Sequence, residues 1–125
     1  MTHLIQILIV DDDITLRHML VLQLASLGLK ADSAANGVEA LRRVHDWRYE
    51  LILMDIQMPE MNGVDAAVAI RGYERSAGLI STPIIAVTAG GASRQECLAA
   101  GMSDYLQKPI SLEALQELMT KWLPG

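Results

Sequence analysis

Apolar and polar residues along this chain alternate between two rhythms. Short apolar runs stop at polar residues, and each is followed by a longer stretch with apolar positions at helical spacing. Leu4 to Val10 is the first run, broken only by Gln6 and closed by Asp11-Asp12-Asp13. Asp13 is placed to cap a helix carrying Leu16, Leu20, Leu24 and Leu27, with Gly28 as its stop. Lys30 to Ala34 gives a short, weakly signalled second strand. Asn36-Gly37 then turns the chain into a helix with Val38, Leu41 and Val44 on one side. The run Leu51-Ile52-Leu53-Met54 reads as a strand buried on both faces, and it ends at Asp55.

Pro59 forbids simple continuation of that strand, and Glu60-Met61-Asn62-Gly63 is turn chemistry. A helix is predicted from Val64 to about Ala77, although Gly72 weakens it by about 1 kcal/mol relative to Ala. Pro83 opens a fourth strand, Ile84 to Val87, which ends at Thr88 and a flexible loop, Ala89-Gly90-Gly91-Ala92. Ser93 and Glu96 form a capping box for a short helix that Gly101 closes. Asp104 to Gln107 is a fifth strand, followed at once by Lys108-Pro109. Ser111 caps a last helix with Leu112, Leu115, Leu118, Met119 and Leu123 as its inner face. Five strands alternating with five helices predict an α/β fold. Its natural form is a doubly wound five-stranded parallel sheet in the flavodoxin-like strand order 2-1-3-4-5. No repeat or linker interrupts the pattern, so residues 1–125 are expected to form a single domain.

Composition narrows the function classes. With 51% hydrophobic residues the chain can bury a core, which argues against disorder. Its 10 basic residues against 15 acidic ones give a net charge of −5, which argues against direct, non-specific nucleic-acid binding. No apolar stretch approaches the ~20 residues of a membrane span, and a signal-peptide pattern is missing. Cys97 is the single cysteine, so no internal disulfide forms, in keeping with a reducing cytoplasm. His3, His18 and His45 show no metal-ligand spacing on one element.

The residues that follow the strands carry the chemistry. Strand one delivers Asp11 and Asp12, strand three Asp55, strand four Thr88 and strand five Lys108. In a parallel sheet these ends lie along one edge. Singly, each has a bland role: the aspartates as helix caps, the lysine as a solvated charge. Together they place carboxylates, a hydroxyl and an ammonium in one crevice. Close carboxylates repel unless a cation neutralises them, and a sparse set of hard oxygen ligands suits weakly held Mg²⁺. A carboxylate beside such a metal can attack phosphorus to give an aspartyl phosphate. Thr88 and Lys108 would bind phosphoryl oxygens, helped by backbone N–H groups of Gly90-Gly91.

Asp-Asp after strand one, Met-Asp-Ile-Gln-Met-Pro-Glu-Met-Asn-Gly, Val-Thr-Ala after strand four and Tyr-Leu-Gln-Lys-Pro together resemble the response-regulator receiver domain. The resemblance runs from about Ile7 to the last helix. It implies Asp55 as phosphoacceptor, Asp11 and Asp12 in the metal site with the backbone carbonyl of Gln57, and Thr88 and Lys108 on the phosphoryl group. Tyr105 takes the family's aromatic switch position with Thr88. A cis Lys108–Pro109 peptide is expected on the same ground. Asp-Ile-Gln-Met-Pro, Cys-Leu-Ala-Ala-Gly-Met-Ser-Asp-Tyr-Leu and Lys-Trp-Leu look most like receivers fused to sensor histidine kinases. The implied partner is a sensor histidine kinase or a histidine-phosphotransfer protein. No output domain follows the last helix, so the output is expected to be another protein or another domain of the same polypeptide.

Two rivals share the strand-end logic. Asp11-x-Asp13-x-Thr15 fits the nucleophile motif of haloacid-dehalogenase-type phosphatases, with Asp11 attacking phosphate and Asp13 as general acid/base, but it leaves the Asp55 stretch unexplained. A flavin-binding module needs a phosphate-cradling loop where three aspartates stand. On the first helix, Met19, Val21 and Leu22 exceed what the core stripe needs. They are either part of a docking face or packed against neighbouring helices.

Overall fold

In the computed structural model, which describes residues 5–58, 61–90 and 93–123, the apolar runs become strands whose side chains alternate between two cores. The elements are β1 (Ile7–Val10), α1 (Ile14–Ser26), β2 (Ala31–Ala34), α2 (Gly37–Asp46), β3 (Leu51–Asp55), α3 (Gly63–Ala77), β4 (Ile84–Thr88), α4 (Arg94–Ala99), β5 (Asp104–Gln107) and α5 (Leu112–Trp122). All four strand pairings are parallel, in the order β2-β1-β3-β4-β5. Leu8, Val10, Ile52, Met54, Ile84 and Ala86 face one way, onto Ala40 and Val44 of α2, Ala66, Ala67 and Ile70 of α3, and Cys97 of α4. Ile7, Ile9, Leu51, Leu53, Ile85 and Val87 face the other way, onto Leu20 and Leu24 of α1 and Leu115, Leu118 and Met119 of α5. Burial on both faces explains why these strands read as unbroken apolar runs. Among the described residues no helix is long and apolar enough to cross a membrane.

Caps set the helix limits. Asp13, Asn36, Asn62, Ser93 and Ser111 each accept N–H bonds from the first turn of their helix, and Ser93 with Glu96 completes the capping box. Gly78 ends α3 with φ 68, a left-handed cap that glycine adopts without a Cβ penalty.

Several expectations shift. Leu4, Pro59, Glu60, Gly91 and Ala92 lie outside the described residues, and β1 begins at Ile7. Helix α3 starts at Gly63, because Asn62 caps it rather than ending a turn. Val38 does not join the inner face of α2. It stands about 200° around the helix from Ala40, and Ala40 and Val44 are the residues that meet the sheet. Leu112 is exposed at the first position of α5, so that inner face begins at Leu115. Val21 packs with the core, whereas Met19 and Leu22 stay exposed. Trp122 joins the core and donates its indole N–H to Asp104 at 2.8 Å.

A polar strut joins α3 to the sheet at the end away from the aspartates. Glu74 is 1% exposed and accepts from Arg71 at 2.7 Å and from the Thr82 amide at 2.8 Å. Arg71 also donates to the Thr82 and Gly101 carbonyls, each at 2.8 Å. A buried carboxylate is tolerated here because both its oxygens are bonded and its charge is paired. Glu74→Ala leaves the guanidinium and the Thr82 amide short of a partner. It should lower stability by about 3 kcal/mol, read as a lower urea midpoint at unchanged m; a loss below about 1 kcal/mol would show the pair to be a solvated surface contact.

Candidate functional site

Parallel register brings the strand ends level. Val10 pairs with Met54, Asp55 with Val87, and Thr88 with Gln107, so the next residue of each strand emerges at one edge. The Lys108 amide donates to the Thr88 carbonyl at 2.8 Å, which carries β5's register into the loop. Lys108–Pro109 is cis, as expected.

At that edge Asp11, Asp12 and Asp55 offer carboxylate oxygens that all lie within 4.8 Å of one another. Asp11 and Asp55 are buried, and Asp12 is exposed at the rim. Lys108 Nζ sits 3.3 Å from Asp11 Oδ2 and 3.5 Å from Asp55 Oδ1, bridging the two buried acids. Asp55 Oδ1 also accepts the Gln57 amide at 3.2 Å. Among the described residues both of these contacts fall on Oδ1.

Charge shapes the acids' protonation. Burial and then the neighbouring Asp11 charge push the Asp55 carboxyl above the usual carboxylate range, and Lys108 and the Gln57 N–H only partly offset them. Burial alone would lower the Lys108 pKa, but Asp11 and Asp55 outweigh it and hold the ammonium charged beyond its ordinary range. Three carboxylates face one ammonium, and hard oxygens in excess of local positive charge are the donor set that a Mg²⁺-sized cation takes.

Thr88 is fully buried, and its hydroxyl donates to the Gly90 carbonyl at 2.6 Å and accepts the Gly90 amide at 3.0 Å. It is therefore turned onto its own loop. The Gln57 side chain donates to the same Gly90 carbonyl at 3.3 Å, tying the loop after β3 to the loop after β4. Tyr105, opposite Ala86, is half-buried against the α3/α4 core. Gly91 lies outside the described residues. Asp13, the general acid/base of the phosphatase reading, is exposed, and its Oδ1 accepts the Thr15 and Leu16 amides as a helix cap.

Two further residues shape the site, and sequence reasoning did not single them out. A Cβ on Gly63 would collide with the Asp55 carbonyl oxygen, so only glycine lets α3 start directly over the phosphoacceptor candidate's own peptide. In the sequence Gly63 reads as an ordinary turn glycine before the helix, so nothing local marks the close approach. Arg17 donates to the Asp11 carbonyl at 2.7 Å, and nothing in its spacing announced that contact. On α1, Ile14, Met19 and Leu22 are 69%, 50% and 62% exposed and line a groove with Thr15 and His18.

A family model of the response regulator receiver domain matches residues 7–120. Hybrid signal transduction histidine kinase B of Dictyostelium discoideum is 42% identical over 127 residues, covering 93% of this chain but 6% of that protein. The chain spans well under a fifth of the length of that and of the other most similar curated relatives. The receiver domain of sensor histidine kinase PA1611 from Pseudomonas aeruginosa, solved with magnesium in its active site cleft, superposes with TM-score 0.84 at 36% identity, covering 96% of this chain and 98% of that one. The receiver of the Saccharomyces cerevisiae response regulator Ssk1, solved with the histidine phosphotransfer protein Ypd1, gives TM-score 0.87 at 32% identity, with coverages of 95% and 88%.

Because folding raises the Asp55 pKa, the folded state holds that proton more firmly than the unfolded chain. The group thus adds stability below the ordinary carboxylate range, and that stability is lost as pH rises through the folded value. Asp55→Asn, which mimics the neutral acid, should raise the thermal midpoint of the metal-free protein at neutral pH. The gain should vanish in acid; an equal gain at both pH values would refute the charge origin.

Proposed function

The chain belongs to the response regulator receiver domain family, and we propose that residues 1–125 form one such domain in which Asp55 takes a phosphoryl group from a phosphohistidine. The observation that carries this reading is the meeting of Asp11, Asp12, Asp55 and Lys108 at the strand ends. An Asp55 carboxylate oxygen attacks phosphorus as the P–N bond to the donor histidine breaks, and the electron pair leaves on the imidazole, which takes up a proton. Lys108 supplies fixed positive charge beside the nucleophile and, on transfer, exchanges Asp55 for a phosphoryl oxygen while keeping Asp11.

With Asp11 supporting them through water, Asp12, Asp55 and the Gln57 backbone carbonyl are the proposed direct holders of Mg²⁺. When bound, it supplies positive charge to the carboxylates and the phosphoryl oxygens. Thr88 trades its Gly90 bonds for a phosphoryl oxygen. The space this vacates beside β4 admits the Tyr105 ring, a packing change between two states. The domain is not a classical enzyme, and the proposed catalysis is confined to its own phosphorylation and dephosphorylation.

The proposed partner is a sensor histidine kinase or a histidine-phosphotransfer protein, as in the complex of the Ssk1 receiver with Ypd1. An in-line donor must approach Asp55 from the open edge, beside which α1 exposes the apolar residues Ile14, Met19 and Leu22. Nucleic acid is not the proposed target, given the net charge of −5. The proposed setting is the cytoplasm, in keeping with the free, buried Cys97 thiol.

Incubation with acetyl phosphate and Mg²⁺ should add one labile phosphoryl group by intact mass, and Asp55→Asn should abolish it. Labelling of Asp55→Asn as complete as in the parent would contradict the assignment. Leu22→Asp should leave folding and acetyl phosphate labelling intact while slowing transfer from a phosphohistidine donor roughly tenfold, the loss of one well-packed apolar contact. Unimpaired transfer removes Leu22 from the interface.

A further inference from the structure

Asp12 is the exposed member of the acidic cluster, and its carboxylate sits at the rim. Both peptide units that flank it are nevertheless pinned. The plane before it carries the Asp11 carbonyl, which accepts from Arg17 Nη1 at 2.7 Å. The plane after it carries the Asp13 amide, which donates to Asp11 Oδ1 at 2.8 Å.

Asp11 itself is held at every polar atom. Its amide donates to the Ala34 carbonyl at 3.1 Å, extending the ladder with β2 by one residue. Its carbonyl takes Arg17, Oδ1 takes the Asp13 amide, and Oδ2 takes Lys108. A residue so fully engaged has little left to give a metal directly. Asp12 has spare oxygens, but an exposed side chain on a loose backbone would have to be ordered on binding.

We propose that Arg17 is a positioning residue for the metal site. It acts through the Asp11 carbonyl to orient the Asp11–Asp12 peptide and thereby aims Asp12 at Asp55. The peptide unit is planar, so fixing its carbonyl oxygen also fixes the N–Cα bond from which Asp12 departs. The donor is charged, half-buried and on the rigid α1, so its hold on a neutral carbonyl is of the stronger, charge-assisted kind. Arg17 lies six residues beyond Asp11, on the second turn of the helix that Asp13 caps. The cap and the clamp therefore set the same loop from both ends.

This inference rests on Asp12 and Asp55 holding Mg²⁺, and its test separates the two claims. Mg²⁺ titrations followed by amide NMR would compare the parent with Arg17→Met, which keeps the aliphatic stem, with the milder Arg17→Gln, and with Asp12→Asn. Urea midpoints would be recorded beside them. Arg17→Met should weaken Mg²⁺ binding roughly tenfold or more, the usual effect of removing a group that orients a ligand. In the metal-free protein it should move the Asp12 and Asp13 amides while leaving Val87 and Leu115 in place, a local signature that a general loss of stability would not give. If Arg17→Met does not fold, Arg17→Gln decides by the same readings. Parental Mg²⁺ affinity in a folded Arg17 variant, beside clear loss in Asp12→Asn, overturns the inference alone. Parental affinity in Asp12→Asn overturns the metal assignment and the inference with it.

Discussion

An excess of negative charge at the carboxyl edge of the sheet is the constraint on which the rest of this structure depends. Asp11 and Asp55 are buried beside each other and share one lysine, while Asp12 adds a third carboxylate at the rim. Lys108 offsets part of the cost of burial and of the Asp11 charge, yet the Asp55 carboxyl still rests above its ordinary range. A cation relieves the remainder, and a phosphoryl group brings oxygens that such a cation and Lys108 can share. By itself the arrangement costs stability, and it is suited to phosphoryl chemistry, the usual compromise between stability and function.

The fold holds that charge where it would not settle by itself. Two apolar layers fix β1, β3 and β4, so the acids cannot retreat from one another. Gly63 lets α3 begin over the Asp55 peptide, and the Gln57–Gly90–Thr88 bonds join the two loops beside it. At the far end, Arg71 and Glu74 fasten α3 to the entry of β4 and to the turn before β5. The site edge thus carries exposed loops and adjustable hydrogen bonds, and the opposite edge carries a buried pair. The rearrangement proposed for Thr88 lies in the former, away from the buried pair.

The sheet and the candidate residues gathered at its edge were legible because their signals are local. A buried parallel strand must be apolar throughout, and the polar residue that ends it must stand at the edge, so Asp11, Asp55, Thr88 and Lys108 announced themselves. Caps at Asp13, Ser93 and Ser111 were equally readable, each being settled within four residues. What was not legible depends on long side chains and on helix rotation. Arg17 reaches back to a carbonyl, Arg71 spans three segments, and Val38 faces solvent because a two-residue offset carries it past the sheet. Val21 and Leu22 look alike in composition, and helix rotation separates them: Val21 flanks the stripe of Leu20 and Leu24, whereas Leu22 stands about 200° around the helix from each.

The most direct test of the account is to trap the phosphoryl group where it lands. An aspartyl phosphate is reduced by borohydride to homoserine, whereas a free carboxylate is untouched. After incubation with acetyl phosphate and Mg²⁺, reduction and peptide sequencing by mass spectrometry should find homoserine at position 55 and aspartate at positions 11, 12 and 13. Homoserine at any of those three positions, with Asp55 unchanged, would contradict it.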